Sequence, residues 1–97
     1  MYVFVREDLS RAQQAVQTAH AAIESTKRWP YIGDHPHLVV IGVKNEVKLK
    51  RALDKARSNG ILVVGFEEPE DGMTAFATRP IIDNEERQLF RKYQLLK

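Results

Sequence analysis

The chain of 97 residues contains no cysteine. Disulfides, thiolate-bound zinc and thiol chemistry are therefore excluded for these residues. Small secreted domains usually need disulfides to supplement a small core, so a cysteine-free chain of this length is typical of a reducing compartment. We expect a single soluble domain, spanning 1–97, in the cytoplasm.

Long hydrophobic runs are missing as well. The longest apolar segments are 38–43 and 61–66, whereas a membrane-spanning helix needs about 20 residues. The apolar run at the start is too short for the core of a signal peptide, and no basic region precedes it. The sequence therefore predicts no membrane partner.

Several catalytic signatures are absent. The chain has no G-x-S-x-G nucleophile elbow, no G-x-x-x-x-G-K-[ST] phosphate loop and no G-x-G-x-x-G dinucleotide motif. Asp34, His35 and His37 lie in a proline-containing loop and, together with His20, are only weak evidence for a metal site, because no companions stand at ligand spacing. We predict neither a metal nor a cofactor.

A strong charge of either sign is also lacking. Fifteen Lys and Arg residues against thirteen Asp and Glu residues leave a net charge of +2. This balance permits nucleic-acid binding but does not argue for it.

The sequence does contain alternating strand and helix patterns. Residues 2–6 predict a strand, and Ser10 with Gln13 forms an S-x-x-Q capping box that predicts a helix start. This first helix runs to about Lys27, and a loop over 29–37 follows it. The unbroken apolar segment 38–43 then predicts a strand that is buried on both faces.

The second half of the chain follows the same scheme. Asn45 predicts the start of a second helix, and Gly60 its end. The buried side of this helix is predicted from its apolar residues, Val47, Leu49, Leu53 and Ala56. Residues 61–66 predict a fully apolar strand, and 73–79 an alternating one. Asp83 and Glu86 predict the start of a last helix, which is continued by apolar residues at helical spacing, namely Leu89, Phe90, Tyr93 and Leu96.

The order of elements is therefore β-α-β-α-β-β-α. Two strand–helix–strand units imply parallel neighbours, and the short turn near 67–72 makes one strand antiparallel. The predicted fold class is α/β, a three-layer αβα sandwich around a mixed four-stranded sheet.

Apolar residues recur at helical spacing in the first helix and predict its buried stripe: Ala12, Ala15, Val16, Ala19 and Ile23. His20 lies beside this stripe, so we predict that its side chain is largely buried. It is either a packed, hydrogen-bonded residue or an orienting or proton-handling group near an edge of the sheet.

Two charged clusters allow two interpretations each. Lys48, Arg51 and Lys55 share one face of the second helix, as a solvated surface or as a contact for phosphates. The acidic turn 67–72 either keeps the hairpin soluble or supplies acid and base groups. Residue chemistry alone leads no further than an α/β domain with a polar edge.

Motifs along nearly the whole chain resemble the type II peptidyl-tRNA hydrolase family. Segment 17–22, Gln-Thr-Ala-His-Ala-Ala, matches the family's Gln-x-Ala-His-Ala-Ala helix motif. Segment 6–9, Arg-Glu-Asp-Leu, resembles the exit of its first strand. Segment 74–80 resembles its final strand, which ends at a proline. The resemblance implies that this chain adopts the fold of that family.

Two departures from the family pattern bear on activity. The family carries Lys-Gly-Lys before the helix motif, and the second lysine is considered catalytic; Arg11, Ala12 and Gln13 stand there in this chain. The family's Asp-x-Gly-x-Thr-Gln loop is compressed, so that Thr74 fits its threonine and Asp71 is a loose counterpart of its aspartate. Both changes resemble the divergent peptidyl-tRNA hydrolase domain-containing branch, as do Asp-His-Pro-His at 34–37 and Arg-Pro at 79–80.

The resemblance implies hydrolysis of the carboxylic ester that joins a peptide to the 3′ ribose of tRNA, with tRNA or peptidyl-tRNA as partner. It assigns catalytic roles to polar residues of the helix motif and the compressed loop: Gln13, Gln17, His20, Asp71 and Thr74. Nucleic-acid contacts are expected first from Arg6 and Arg11, and second from the basic face at Lys48, Arg51 and Lys55. The alternative is a non-catalytic tRNA- or protein-binding module with the same fold. A homodimer is a further expectation.

Overall fold

The predicted order of strands and helices is confirmed by a computed structural model, which describes residues 1–31, 33 and 37–97. The strands are β1 (Tyr2–Arg6), β2 (Val39–Val43), β3 (Val63–Glu68) and β4 (Gly72–Thr78). The helices are α1 (Arg11–Arg28), α2 (Glu46–Ser58) and α3 (Asn84–Gln88). Helix α1 packs on one face of the sheet and α2 on the other, so the predicted three-layer arrangement is also confirmed.

The four strands lie in the order β2-β1-β4-β3. Strand β1 pairs in parallel with β2 and antiparallel with β4, and β3 forms an antiparallel hairpin with β4. The predicted parallel pairing among the first three strands is thus confirmed for β1 and β2. Strand β3 lies at the opposite edge of the sheet and contacts neither of them as a neighbour.

Burial along the strands differs from the sequence-based prediction. The expectation that 38–43 is buried on both faces is wrong, because β2 is an edge strand: Leu38 is 50% exposed, and Val39 and Val40 are half-buried. The strand that is buried almost throughout is β4. It lies inside the sheet with a helix on each face, which its alternating pattern did not indicate.

The predicted apolar stripe of α1 faces solvent and not the sheet. Val16 is 50% exposed and Ile23 is 56% exposed, while the buried positions are Gln17, Ala21 and Ser25. These side chains are small or are hydrogen-bonded to the sheet; the Ser25 hydroxyl donates to the carbonyl of Thr78 at 2.7 Å. Polar residues therefore occupy the face that the hydrophobic pattern assigned to solvent.

The opposite face of the sheet is apolar. Phe4 and Phe76 stack at 4.4 Å between ring centroids and contact the buried side of α2, which includes Leu49 and Leu53. Val47, predicted on that buried side, is exposed.

The last helix is shorter than predicted. It ends at Gln88, and the chain then runs beside β2, where the Gly42 amide donates to Gln94 and the Leu96 amide donates to Val40. Tyr93 packs edge-on against Phe4. The spacing of Phe90 and Tyr93 therefore reflects contacts with the core and not a continuous helix. Among the described residues, no helix has the length and apolar character to cross a membrane.

Candidate functional site

An irregularity in β4 turns Thr74 toward α1. Phe66 pairs with Ala75 and Glu67 pairs with Met73, so the register between β3 and β4 skips Thr74. Met73 belongs to the core under α2, whereas Ala75 belongs to the core under α1. Because residues two apart in a regular strand share a face, the extra residue of this β-bulge is what separates them.

The Thr74 side chain enters a hydrogen-bonded chain with Gln17 of α1. Its hydroxyl donates to Gln17 Oε1 at 3.0 Å and lies 3.2 Å from the carbonyl of Phe66. The Gln17 amide in turn donates from Nε2 to Glu68 Oε1 at 3.3 Å. Gln17 is 7% exposed and Thr74 is fully buried, so this chain of contacts is fixed by packing.

A cavity of about 470 Å³ opens beside these three side chains. Its wall consists of residues from α1 and from the turn between β3 and β4: Gln13, Gln17, Glu68, Pro69, Glu70 and Asp71. Three of the six are carboxylates, and none of these described wall residues is a lysine or arginine. The cavity therefore favours neutral or cationic groups over phosphates.

Arg6 holds the turn from the β1 side. Its Nη1 donates to the carbonyls of Asp71 at 2.5 Å and Met73 at 3.3 Å, and its Nε lies 2.9 Å from Asp8 Oδ1. The hydrogen bond to Asp8 raises the pKa of Arg6, and the same hydrogen bond lowers the pKa of Asp8. Arg6 is thus a positioning residue for the turn that carries Asp71.

Glu46, in the first turn of α2, holds the same turn from the opposite face. Its Oε2 accepts a hydrogen bond from the Met73 amide at 2.7 Å. Gly72 adopts φ +74°, and a side chain there would also collide with the Glu46 carboxylate. Two independent side chains and one glycine therefore set the path of the chain from the cavity wall into β4.

A family model described as peptidyl-tRNA hydrolase PTH2 matches residues 1–96. The chain belongs to this family. Comparison with individual curated proteins gave no significant match. The resemblance drawn from the sequence motifs is thereby confirmed, and the function of a peptidyl-tRNA hydrolase-like protein, with peptidyl-tRNA as the substrate that the family implies, follows at the level of the family.

Two of the residues assigned to catalysis by the resemblance to peptidyl-tRNA hydrolases are in direct contact, namely Gln17 and Thr74. Gln13 and Asp71 line the same cavity. The Gln13 carboxamide accepts a hydrogen bond from the Ser10 amide at 3.1 Å, which completes the predicted capping box. At the position of the family's catalytic lysine, this chain therefore has a helix-capping side chain.

His20 lies one turn beyond Gln17 on α1. The prediction that its side chain is largely buried is wrong: it is exposed, and its ring stacks on Phe66 of β3 at 4.7 Å between centroids, with 2° between the ring planes. The cause is the rotation of α1, which turns Val16 and Ile23 outward as well.

Glu68 is a site residue that sequence reasoning placed only within an acidic turn. The signal was present, because Val64, Phe66 and Glu68 alternate on β3 and share the face toward α1. The prediction ended that strand at 66, so Glu68 was assigned to the turn instead of to the strand.

The basic residues predicted to contact nucleic acid are not brought together. Arg6 is 12% exposed in its side chain and is engaged with the turn, while Arg11 donates from Nη1 to the carbonyl of Lys97 at 2.9 Å. The basic face of α2, Lys48, Arg51 and Lys55, is exposed on the opposite side of the sheet from the cavity. Their contact with RNA stays a prediction.

The loop that carries the weak metal motif lies largely outside the described residues, namely at Asp34, His35 and Pro36. In the described part of the chain, no group of three His, Asp or Glu residues is arranged to hold a metal ion.

Proposed function

We propose that this chain hydrolyses the ester between a peptide and the 3′ ribose of tRNA, at the cavity beside α1. The observation that carries the proposal is the hydrogen-bonded chain from Thr74 through Gln17 to Glu68 on the cavity wall. It presents a carboxylate and an amide at the cavity and supports them with a buried hydroxyl, all on rigid elements, which is the kind of arrangement that ester hydrolysis uses.

Glu68 is the group we assign to water activation. Its Oε1 accepts the Gln17 amide, which orients the carboxylate and leaves Oε2 for a water molecule. The water oxygen attacks the ester carbonyl carbon while its proton moves to Glu68. The bond from that carbon to the ribose oxygen then breaks, and the ribose oxygen takes the proton back from Glu68.

Asp71 is the second acidic residue on the wall whose backbone is held by a defined contact, the hydrogen bond from Arg6 to its main-chain carbonyl. We place it as a supporting group for the water. Negative charge on the ester oxygen during attack is met by the second N–H of the Gln17 amide, whose oxygen is held in place by the buried Thr74 hydroxyl. No cation stands among the described wall residues, so we expect slow hydrolysis.

Recognition of the tRNA is proposed to depend on Arg11, which is exposed at the start of α1. The basic face of α2 ranks below it because it lies across the sheet from the cavity. A cytoplasmic location and a homodimer stay predictions.

A non-catalytic tRNA- or protein-binding module is the second candidate function. The observation that favours it is Gln13, which stands where the family has its lysine and whose side chain is engaged in helix capping. In this case the fold and the cavity are kept while ester hydrolysis is lost.

One experiment separates the two functions. Purified protein is incubated with an N-acetylated aminoacyl-tRNA, and free tRNA is followed over time together with tRNA binding at several salt concentrations. Release that depends on protein concentration and falls in Thr74→Val supports the hydrolase. Binding that weakens with salt, without any release above the spontaneous rate, contradicts hydrolysis and supports the binding module.

A further inference from the structure

We infer that His20 and Phe66 form a stacking surface for the nucleobase of the 3′-terminal nucleotide of the tRNA. The inference rests on the proposed function, since it names how the substrate is seated at the same cavity. It assigns to His20 a binding role in place of proton transfer.

The rings of His20 and Phe66 are stacked face to face. The two rings are parallel to within 2° and 4.7 Å apart, so one face of the imidazole lies flat against Phe66. The side chain is nevertheless exposed, and the other ring face is turned away from Phe66 at the β3 edge of the sheet. Neither ring nitrogen forms a hydrogen bond to another described residue. The supporting ring holds the imidazole in a fixed plane, which lowers the entropy cost of stacking a further ring on it.

The stacked pair lies close to the candidate site. Phe66 precedes Glu68 by two residues on the same face of β3, and its carbonyl is the one that lies 3.2 Å from the Thr74 hydroxyl. His20 follows Gln17 by one helical turn. The stacked pair therefore lies directly beside the Gln17–Glu68 contact, one helical turn further along α1 and two residues earlier on β3. In the substrate, the ribose that carries the ester also carries the terminal base, so a base must lie close to any group that attacks this ester.

The negative charge of the cavity wall favours a neutral part of the tRNA at its border. The cavity wall presents Glu68, Glu70 and Asp71, which repel phosphate groups. A nucleobase is neutral and has an aromatic face that stacks on His, Phe or Tyr side chains irrespective of base identity. A base is therefore the part of the tRNA end that suits the border of this acidic cavity.

The test uses a short RNA whose 3′-terminal nucleotide carries the fluorescent base 2-aminopurine and an amide-linked N-acetyl amino acid that cannot be hydrolysed. With the wild-type protein we expect quenching of the fluorescence on binding. His20→Ala is expected to weaken binding about tenfold, because one stacked base is lost. His20→Phe keeps a flat ring and is expected to bind as the wild type does.

An otherwise identical RNA with an abasic 3′-terminal nucleotide is the control, and it should bind the wild type and His20→Ala equally. Absence of quenching with the wild type, unchanged affinity in His20→Ala, or equal losses in His20→Ala and His20→Phe would overturn the inference. Phe66→Leu removes the supporting ring and gives a second variant with the same expectation as His20→Ala. The probe is not cleaved, so a wild-type protein that quenches it but releases no tRNA from a true ester would refute the hydrolase and leave the stacking surface standing.

Discussion

The two faces of the sheet are packed by different means. Under α2, the stacked rings of Phe4 and Phe76 meet leucine and alanine side chains, and this core is apolar throughout. Under α1, the core consists mainly of valine and alanine side chains, and Gln17, Thr74 and Ser25 join the helix to the sheet through hydrogen bonds. Because of this difference in composition, only the α1 face, in the described part of the chain, holds buried polar side chains in hydrogen bonds between helix and sheet.

An apolar face tolerates changes in side-chain orientation because the hydrophobic effect has no preferred direction. A buried polar face does not tolerate such changes, since each donor and acceptor needs its partner in place. The α1 face therefore holds its side chains in defined directions. This is the face on which the bulge at Thr74 creates the candidate site.

The largest effect is expected on the apolar face. Phe76→Ala should lower the free energy of unfolding by about 3–5 kcal/mol, because a fully buried ring is removed and a cavity is left. Urea denaturation measures this change. Ile82→Ala is the matched control at a position that is 80% exposed, and it should change stability by less than about 0.5 kcal/mol. Similar losses in the two variants would contradict the assignment of the core.

A smaller and coupled effect is expected on the polar face. Thr74→Val should cost about 1–3 kcal/mol because Gln17 Oε1 loses its buried donor. The double variant Thr74→Val/Gln17→Leu should cost less than the sum of the two single variants, since the unpaired group is then gone as well. A double-mutant cycle from urea midpoints measures the coupling, and strict additivity would show that the contact is not formed.

Sequence patterns predicted the apolar face better than the polar one, and the residues explain why. Leu49, Leu53 and Ala56 are buried as their spacing indicated. On α1, however, Val16 and Ile23 were weighted over Gln17 and Ser25 because a hydrophobic pattern counts only apolar side chains. The partners that permit burial of Gln17 and Ser25 are Thr74 and the Thr78 carbonyl, which are distant in sequence.

The candidate site was predicted in part for the same reason. Gln17 and Thr74 were found through the family motif, and the structure brings them together. The direction of the Thr74 side chain depends on a bulge, and bulges depend on pairing between strands that local sequence does not reveal. The sequence predicts a turn at Glu68 because β-strand propensity falls where glutamates follow an apolar run.

The contact between Asp8 and Arg6, the residue that positions the turn, should show a dependence on pH. The hydrogen bond from Arg6 holds the pKa of Asp8 below its ordinary value of about 3.9. This contact therefore stabilises the fold above about pH 4, and the contribution is lost as pH falls through the lowered pKa. Asp8 is 41% exposed in its side chain, so solvent screening limits the effect to less than about 1 kcal/mol.

Asp8→Asn tests this contact. At about pH 7 the variant should be slightly less stable than the wild type, and at about pH 2 the difference should be smaller, because protonation of Asp8 weakens its contact with Arg6. Unfolding midpoints in urea at both pH values measure it. A difference that does not change with pH would assign the loss to something other than the charge of Asp8.

The smallest effect is expected on the outer side of α1. Ile23→Ser should change the free energy of unfolding by less than about 0.5 kcal/mol, because the side chain is already exposed. Ala21→Ser, two residues earlier and fully buried, should cost about 1–3 kcal/mol by crowding the core with a hydroxyl. Thermal unfolding compares the two variants, and the reverse order would restore the orientation of α1 that the hydrophobic pattern predicted.

The central claim is that the carboxylate of Glu68, on the polar face, activates water for ester hydrolysis. Glu68→Gln and Glu67→Gln remove one carboxylate each from neighbouring positions of β3; Glu67 lines the surface toward α2 with Lys50 and Arg57. In the tRNA-release assay with N-acetylated aminoacyl-tRNA, Glu68→Gln should lose about 10²-fold or more of the wild-type rate, because a positioned general base is worth that much. It should keep its unfolding midpoint and its tRNA affinity, and Glu67→Gln should keep the full rate. Equal rates in the two variants would contradict the claim.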